Sequence, residues 1–212
     1  VAIGFVLVFV VVAFAAGHEG SDEAHASDRT RSGAETRGSC GRFPEGTGFG
    51  WPESRIWINP SPNAASINMA RAYAGTVMLE GAMLSEGRGT TRPLEVLFGA
   101  PDVDAKAVHA EMRRLAHDWL AGCALRECWF TPTFHKHAGM LCNGLMIHAE
   151  GRFYDHHAFR PWRLQALVFK AIRRLYPDYE IWRDFPYEYE FERLAIDVIN
   201  GGPALREWVD DA

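Results

Sequence analysis

Residues 79–93 read Leu-Glu-Gly-Ala-Met-Leu-Ser-Glu-Gly-Arg-Gly-Thr-Thr-Arg-Pro and hold two carboxylates, two guanidinium groups and three hydroxyls in one short stretch. Glu80 and Glu86 can take up or release protons, Arg88 and Arg92 offer planar forks of parallel donors, and Thr90 and Thr91 both donate and accept. Gly87 and Gly89 flank Arg88, so the backbone there can adopt positive φ and come close to a ligand. This set suits a substrate covered in hydroxyl and amide groups better than a bare anion. A phosphate-cradling loop is excluded, because the spacing from Gly81 to Gly87 is wrong for one and no Lys-Ser or Lys-Thr follows. The competing reading is a surface turn in which these Arg and Glu side chains pair with one another.

Histidines form the second chemical group. His135 and His137 would share one face of an extended segment, and His156-His157 lies downstream. A metal site built on them is disfavoured, since no pair of histidines sits four apart on a helix and the run around 154–157 is polar enough to keep its histidines solvated. His148, within an apolar strand, reads as a hydrogen-bonded core residue. Neither a metal nor another cofactor is expected.

The elements that must position these groups follow from hydrophobic pattern. Residues 55–59 (Arg-Ile-Trp-Ile-Asn) read as a strand stopped by Pro60 and Pro62, ahead of Asn63. Residues 76–79 and 94–98 read as two further strands, which would place the reactive stretch between them at a sheet end. Additional strands are predicted at 128–130 and 144–148. Asp104 should cap a helix whose face carries Val108, Met112, Leu115, Ala116 and Trp119 and which Gly122 ends. A second helix opens at Pro161, with Leu164, Leu167, Ala171, Ile172 and Leu175 on one side and Arg173 and Arg174 suiting its C-terminal dipole. A third holds Phe191, Leu194, Ala195, Val198 and Ile199 before Gly201-Gly202, and a last one spans 205–209. The predicted fold is α+β, a mixed sheet with packed helices, in one domain over 47–212.

Two segments precede that domain. Residues 1–17 are almost wholly apolar and match a signal-peptide core or a membrane anchor, although no basic residue comes before them. Residues 18–46 lack Val, Ile, Leu and Met and read as a disordered linker that leaves His18 and His25 solvated. Export to the cell envelope or beyond is therefore expected. With 212 residues, 48% of them apolar and 23% charged, the chain can bury a core of normal size. Its formal net charge of −5 argues against a nucleic-acid groove. Cys40, Cys123, Cys128 and Cys142 have no paired C-x-x-C spacing; Cys123 with Cys128 could form one bridge, with buried free thiols the commoner outcome.

Taken in order, residues 59–63 (Asn-Pro-Ser-Pro-Asn), 73–76, the whole of 79–93, 98–101 (Phe-Gly-Ala-Pro), 130–134 (Phe-Thr-Pro-Thr-Phe) and 142–148 (Cys-Asn-Gly-Leu-Met-Ile-His) resemble the NamZ-type exo-β-N-acetylmuramidases of bacterial peptidoglycan turnover. Phe159-Arg-Pro161, Leu175-Tyr-Pro177 and Ile196-Asp-Val198 continue the similarity, which covers roughly residues 51–210. The resemblance implies release of N-acetylmuramic acid from non-reducing ends of glycan chains, in a cleft between a Rossmann-like N-terminal domain and a C-terminal domain of which this chain would be the sugar-binding side. On that reading Glu86 is the candidate catalytic group, and Arg88, Arg92, Thr90, Thr91, Glu80, His135, His148 and Asn63 are candidate contacts to peptidoglycan-derived muramyl sugars.

The chain departs from the family in having no counterpart of the N-terminal domain, in reading Gly-Ala-Met where Gly-Thr-Asn is usual before Leu84, and in stopping soon after Arg206. Glycoside hydrolysis generally uses two carboxyl groups, about 5 Å apart for retention and about 6.5 to 9.5 Å for inversion, and only Glu86, with Glu80 second, stands out here. The expectation is a chain inactive without its partner domain. The alternatives are a non-catalytic muramyl-sugar-binding module, an inactive gene fragment, or a metal-dependent hydrolase built on the His135 region.

Overall fold

The computed structural model describes residues 56–211, so the apolar run 1–17, the linker 18–46 and the predicted start of the domain at 47–55 lie outside the described residues. The elements in chain order are α1 (Ile67–Thr76), a 3-10 turn (Val77–Gly81), β1 (Val96–Ala100), α2 (Ala105–Ala116), a second 3-10 turn (His117–Leu120), β2 (Ala124–Phe130), β3 (Cys142–His148), α3 (Pro161–Leu175), α4 (Ala195–Asn200) and α5 (Ala204–Asp210), with a 3-10 turn at Gly151–Phe153.

Helix starts follow local chemistry. The Asp104 carboxylate accepts from the amides of Lys106 and Ala107, Pro161 occupies the first turn of α3, and Arg173 and Arg174 sit in its last turn. The expected stripe buries Val108 and Met112 on α2 and packs Leu115 and Ala116 at the edge of the core, but α2 ends at Ala116, so Trp119 packs from the following 3-10 turn and not from a helix running to Gly122. Helix α1 was not expected. Ser66 caps it by accepting from the Met69 amide, and its C-terminal residue Thr76 runs straight into the 3-10 turn, so residues 76–79 are helical and not the predicted strand. The apolar run Val77-Met-Leu79 is buried on every side, and a short, fully buried run has no period to separate strand from helix. Residues 56–59 likewise form no strand; Ile56 and Ile58 are both exposed, leaving no buried face to hold one. Phe191 lies outside α4, which begins at Ala195, and is exposed.

The three described strands run in the order β1-β3-β2, each pair antiparallel, so the α+β class holds while the sheet itself is not mixed. Paired residues share a face. Phe98 with Leu145 and Leu125 with Ile147 point toward α2 and α3, where they join Val108, Met112, Leu164 and Leu167 in the main core. Gly99, Gly144 and Phe130 belong to the opposite face, and the Phe130 ring lies so close to Gly99 that a Cβ there would meet its Cζ at 2.1 Å. The loop between the first 3-10 turn and β1 crosses this second face, with Gly87 stacked toward Phe130 and Val96. Cys123, Cys128 and Cys142 are free thiols, and burial pushes Cys123 up to about 12 and Cys128 up to about 11. No helix among the described residues is long and apolar enough to cross a membrane.

Candidate functional site

The reactive stretch closes into a compact loop. Its neck is a backbone bond from the Leu94 amide to the Glu86 carbonyl at 2.8 Å. Gly87 and Gly89 take φ of 76° and 79°, as their flanking of Arg88 suggested. The Thr90 hydroxyl donates to the Gly87 carbonyl at 2.6 Å and accepts from the Arg92 amide at 3.3 Å, so it holds the turn. At Gly89 a Cβ would fall 1.7 Å from the Thr133 hydroxyl, and the Thr133 amide donates to the Arg88 carbonyl at 3.2 Å. The loop is thereby clamped onto the segment that joins β2 to β3.

That clamp brings Glu86 to Lys136. The Glu86 side chain is 1% exposed; Arg88 donates through Nε to its Oε1 at 2.5 Å, the Lys136 ammonium lies 2.8 Å from Oε2, and His135 Nδ1 is 3.6 Å from Oε1. Lys136 also donates to the Leu79 carbonyl. Arg88 reaches a second carboxylate through Nη2, 3.4 Å from Glu80 Oε1, and the Tyr187 hydroxyl donates to Glu80 Oε2 at 3.1 Å. Residues 181–183 bring Tyr187 in by pairing with residues 81–83, through the amide of Met83 to the Ile181 carbonyl and that of Arg183 to the Gly81 carbonyl.

The electrostatics follow from burial and pairing. Burial alone would raise the Glu86 carboxyl, but Lys136 and Arg88 together outweigh it and hold the group below the ordinary carboxylate range. Burial pulls the Lys136 ammonium down while Glu86 opposes it. Burial also lowers His135, helped by Lys136, Arg88 and Arg183 and opposed by Glu86, so its half-exposed imidazole is neutral at neutral pH. Tyr73 is pushed up to about 12 by burial and by the negative charge of Glu80. A carboxylate held this way has no proton to give. It can orient cations, accept a hydrogen bond or stabilise positive charge.

A second network starts from the same loop. Arg92 pairs with buried Glu95 at 2.8 Å and with Glu150 at 3.4 Å, and His148 Nδ1 lies 3.8 Å from Glu150. Glu95 further accepts from the Ser66 hydroxyl at 2.5 Å and from Asn68 at 2.7 Å, which ties α1 to the neck of the loop. Each arginine of the loop is thus bound back to a buried glutamate at one side of its neck.

Of the predicted site residues, Glu80, Glu86, Arg88 and His135 meet in the first network; Arg92 and His148 meet in the second. Thr90 serves the turn, and the side chains of Thr91 and Asn63 make no hydrogen bond among the described residues, the Asn63 amide donating to Ser61. Sequence reading missed Lys136, Glu95, Tyr187 and Arg183. Lys136 stands between the two histidines already singled out, and Glu95 directly follows the loop, but neither position signals burial. Arg183 lies close enough to His135 to act on it and makes no side-chain hydrogen bond or ion pair among the described residues. No group of three or more His, Cys, Asp or Glu among the described residues is arranged to hold a metal ion.

Comparison with known proteins bears on the whole of the first network. The family profile described as exo-β-N-acetylmuramidase NamZ, C-terminal, matches residues 71–212. The peptidoglycan β-N-acetylmuramidase NamZ of Bacillus subtilis (strain 168) is 36% identical over 141 residues, which is 66% of this chain but 31% of that protein. Among solved structures, a DUF1343 family protein from Bacteroides fragilis NCTC 9343 aligns with a TM-score of 0.53 at 22% identity over 74% of this chain and 40% of its own, a likeness of fold. A second DUF1343 protein from the same organism gives 0.47 at 19% identity, over 76% and 38% of the two chains. Since the matched profile spans well over half of the sequence and includes Glu80, Glu86, Arg88, Lys136 and Tyr187, the chain belongs to the family of NamZ C-terminal domains.

Proposed function

We propose that this chain forms the sugar-binding side of an exo-acting β-N-acetylmuramidase that releases N-acetylmuramic acid from non-reducing ends of peptidoglycan glycans. One observation carries the reading: the Arg88 guanidinium, 19% exposed, is fixed by Glu86 and Glu80 while Lys136 lies buried behind Glu86. Arg88, Lys136 and Arg183 gather around Glu86 and His135, so a sugar that bears a carboxylate would meet cations there. N-acetylmuramic acid differs from N-acetylglucosamine by such a group, on its lactyl ether. Arg183 and the Nη1 edge of Arg88 are the donors with capacity left for it, and His135 adds a neutral donor or acceptor for sugar hydroxyls.

Glu86 enters this reading as the residue that aims Arg88 and Lys136. If it takes part in hydrolysis it does so as an anion, accepting a proton or stabilising an oxocarbenium-like charge, because the proton donor of a glycosidase needs a raised pKa. Glu80 is bound to the same arginine. With Glu86 held as an anion, the acid of this reading is supplied by the remainder of the protein, since the chain spans 31% of the length of its curated relative. The test is hydrolysis of a chromogenic N-acetylmuramide by this chain alone and with the remaining region of a NamZ-type protein added in trans. Turnover is expected only in the second case; clear turnover by the chain alone overturns the shared-cleft reading. Binding of the sugar with no turnover in either case favours a muramyl-binding module, the second reading, which rests on the same tied-up carboxylates. The apolar run 1–17 supports export to the cell envelope, checked by fusing it, behind a basic start, to a reporter active only outside the cytoplasm.

A further inference from the structure

On the helical side of the domain, remote in composition from the Glu86 network, a cavity of about 340 Å³ opens between α3, α4 and α5, lined by Trp119, Trp162, Trp208 and Asn200 over a floor of Ala166 and Leu205. Its size is at the lower end of ligand pockets, about 300 to 1,000 Å³. Trp119 and Trp208 stack with ring centroids 6.3 Å apart, and Trp162 and Trp208 remain 47% and 42% exposed. None of the three indole N–H groups has a hydrogen-bond partner among the described residues, whereas Trp182 donates its own to Asp210. Asn200 uses its amide nitrogen on the Gly202 carbonyl, which leaves its oxygen as an acceptor. Above the rings, the Arg163 guanidinium lies 5.6 Å from the Trp119 centroid and 5.9 Å from that of Trp162, with no carboxylate partner among the described residues.

We propose that this cavity is a second glycan-binding site, taking a pyranose that carries a carboxylate. An aliphatic or lipid ligand would bury the apolar walls but leave three indole donors and an amide oxygen unanswered. A pyranose matches both demands, with C–H faces that lie on aromatic rings and hydroxyls at the ring edge that pair with N–H and C=O groups. Arg163 supplies the charge that a carboxylate-bearing sugar would meet. The choice of a muramyl sugar as that pyranose rests on the function proposed above; the aromatic chemistry does not. A site here would hold a neighbouring stretch of glycan while the Glu86 network engages a chain end.

The experiment is a tryptophan-fluorescence titration of the full chain with the disaccharide N-acetylglucosaminyl-N-acetylmuramic acid, beside chitobiose, which offers the same ring faces without the carboxylate. Saturable binding is expected for both, tighter for the muramyl sugar. Trp162→Ala should weaken both by about tenfold or more, and Arg163→Gln should abolish only the preference. Circular dichroism checks that Trp162→Ala is folded, and Arg163→Gln, an exposed change, keeps the test valid if it is not. No response to either sugar, or a response unaltered by Trp162→Ala and Arg163→Gln, overturns the proposal. So does a concentration-dependent dimer that Trp162→Ala dissolves, which would make the cavity a face for a second copy. These outcomes leave the Arg88 reading standing, because that is judged by N-acetylmuramide hydrolysis and by binding that depends on Arg88.

Discussion

The Lys136 ammonium stands 2.8 Å from the Glu86 carboxylate with both side chains nearly out of solvent, 8% and 1% exposed. Taking one member of a buried pair away costs more than the pair contributes, because the other charge stays behind without its partner. Lys136→Met should therefore destabilise the domain by about 3 kcal/mol, toward the lower end for such pairs since Arg88 still faces Glu86. Urea denaturation at neutral pH reads this as a lower midpoint with unchanged slope. Adding Glu86→Gln should cost less than the two single changes summed. Additive losses would mean that the two residues are not coupled.

Acid should act on the same network. The folded pKa of Glu86 lies below its ordinary 4.5, so the unfolded chain takes up that proton first; the stability it contributes is complete above pH 4.5 and is lost as pH falls through the folded value. His135 is lowered from 6.5, as is His109, which places a loss in the same direction, beginning as pH falls below 6.5. Stability measured from pH 7 to 3 should fall in these two ranges. Glu86→Gln should flatten the lower one and His135→Asn the upper. A profile unchanged in either variant would contradict the assignment of that range.

Tyr187 ties the 187–190 turn to the site through Glu80, with the amides of Tyr187 and Glu190 each donating to the other's carbonyl. Tyr187→Phe removes a hydrogen bond to a charged acceptor, worth about 1.5 to 3 kcal/mol. Hydrogen exchange at the Tyr187 and Glu190 amides should quicken while the amides of β3 keep their protection. Equal exchange in variant and wild type would show that the turn is held by other contacts.

Much of this was legible in the sequence where chemistry is local. The Asp104 cap, Pro161 at the start of α3, the first part of the α2 stripe and the glycines around Arg88 each act within a few residues, and each was found where expected. Residues 76–79 were misread because an apolar run buried on all sides carries no period, and the Ser66 cap that begins α1 lies ten residues upstream. The same limit explains the site. Glu86 and Arg88 are two residues apart and visible together, whereas Lys136 and Tyr187 arrive from 50 and 101 positions away, through a clamp at Thr133 and a strand-like pairing at residues 181–183 that no local pattern announces. The loop arginines do pair with glutamates, as a surface turn would have it, but the carboxylates they meet, Glu86 and Glu95, are buried.

The central claim, that Arg88 and its neighbours hold the carboxylate of a muramyl sugar, is tested most directly by calorimetric titration of N-acetylmuramic acid and N-acetylglucosamine into the wild type, Arg88→Lys and Arg183→Gln, with the remaining region of a NamZ-type protein present. A lysine cannot bridge Glu86 and Glu80 while offering two parallel donors. Arg88→Lys should weaken muramyl binding by about 1.5 to 3 kcal/mol, Arg183→Gln should weaken it in the same sense, and N-acetylglucosamine should bind all three alike. Equal losses for both sugars in Arg88→Lys, with no loss in Arg183→Gln, would mean that Arg88 only holds the loop together and would contradict the account.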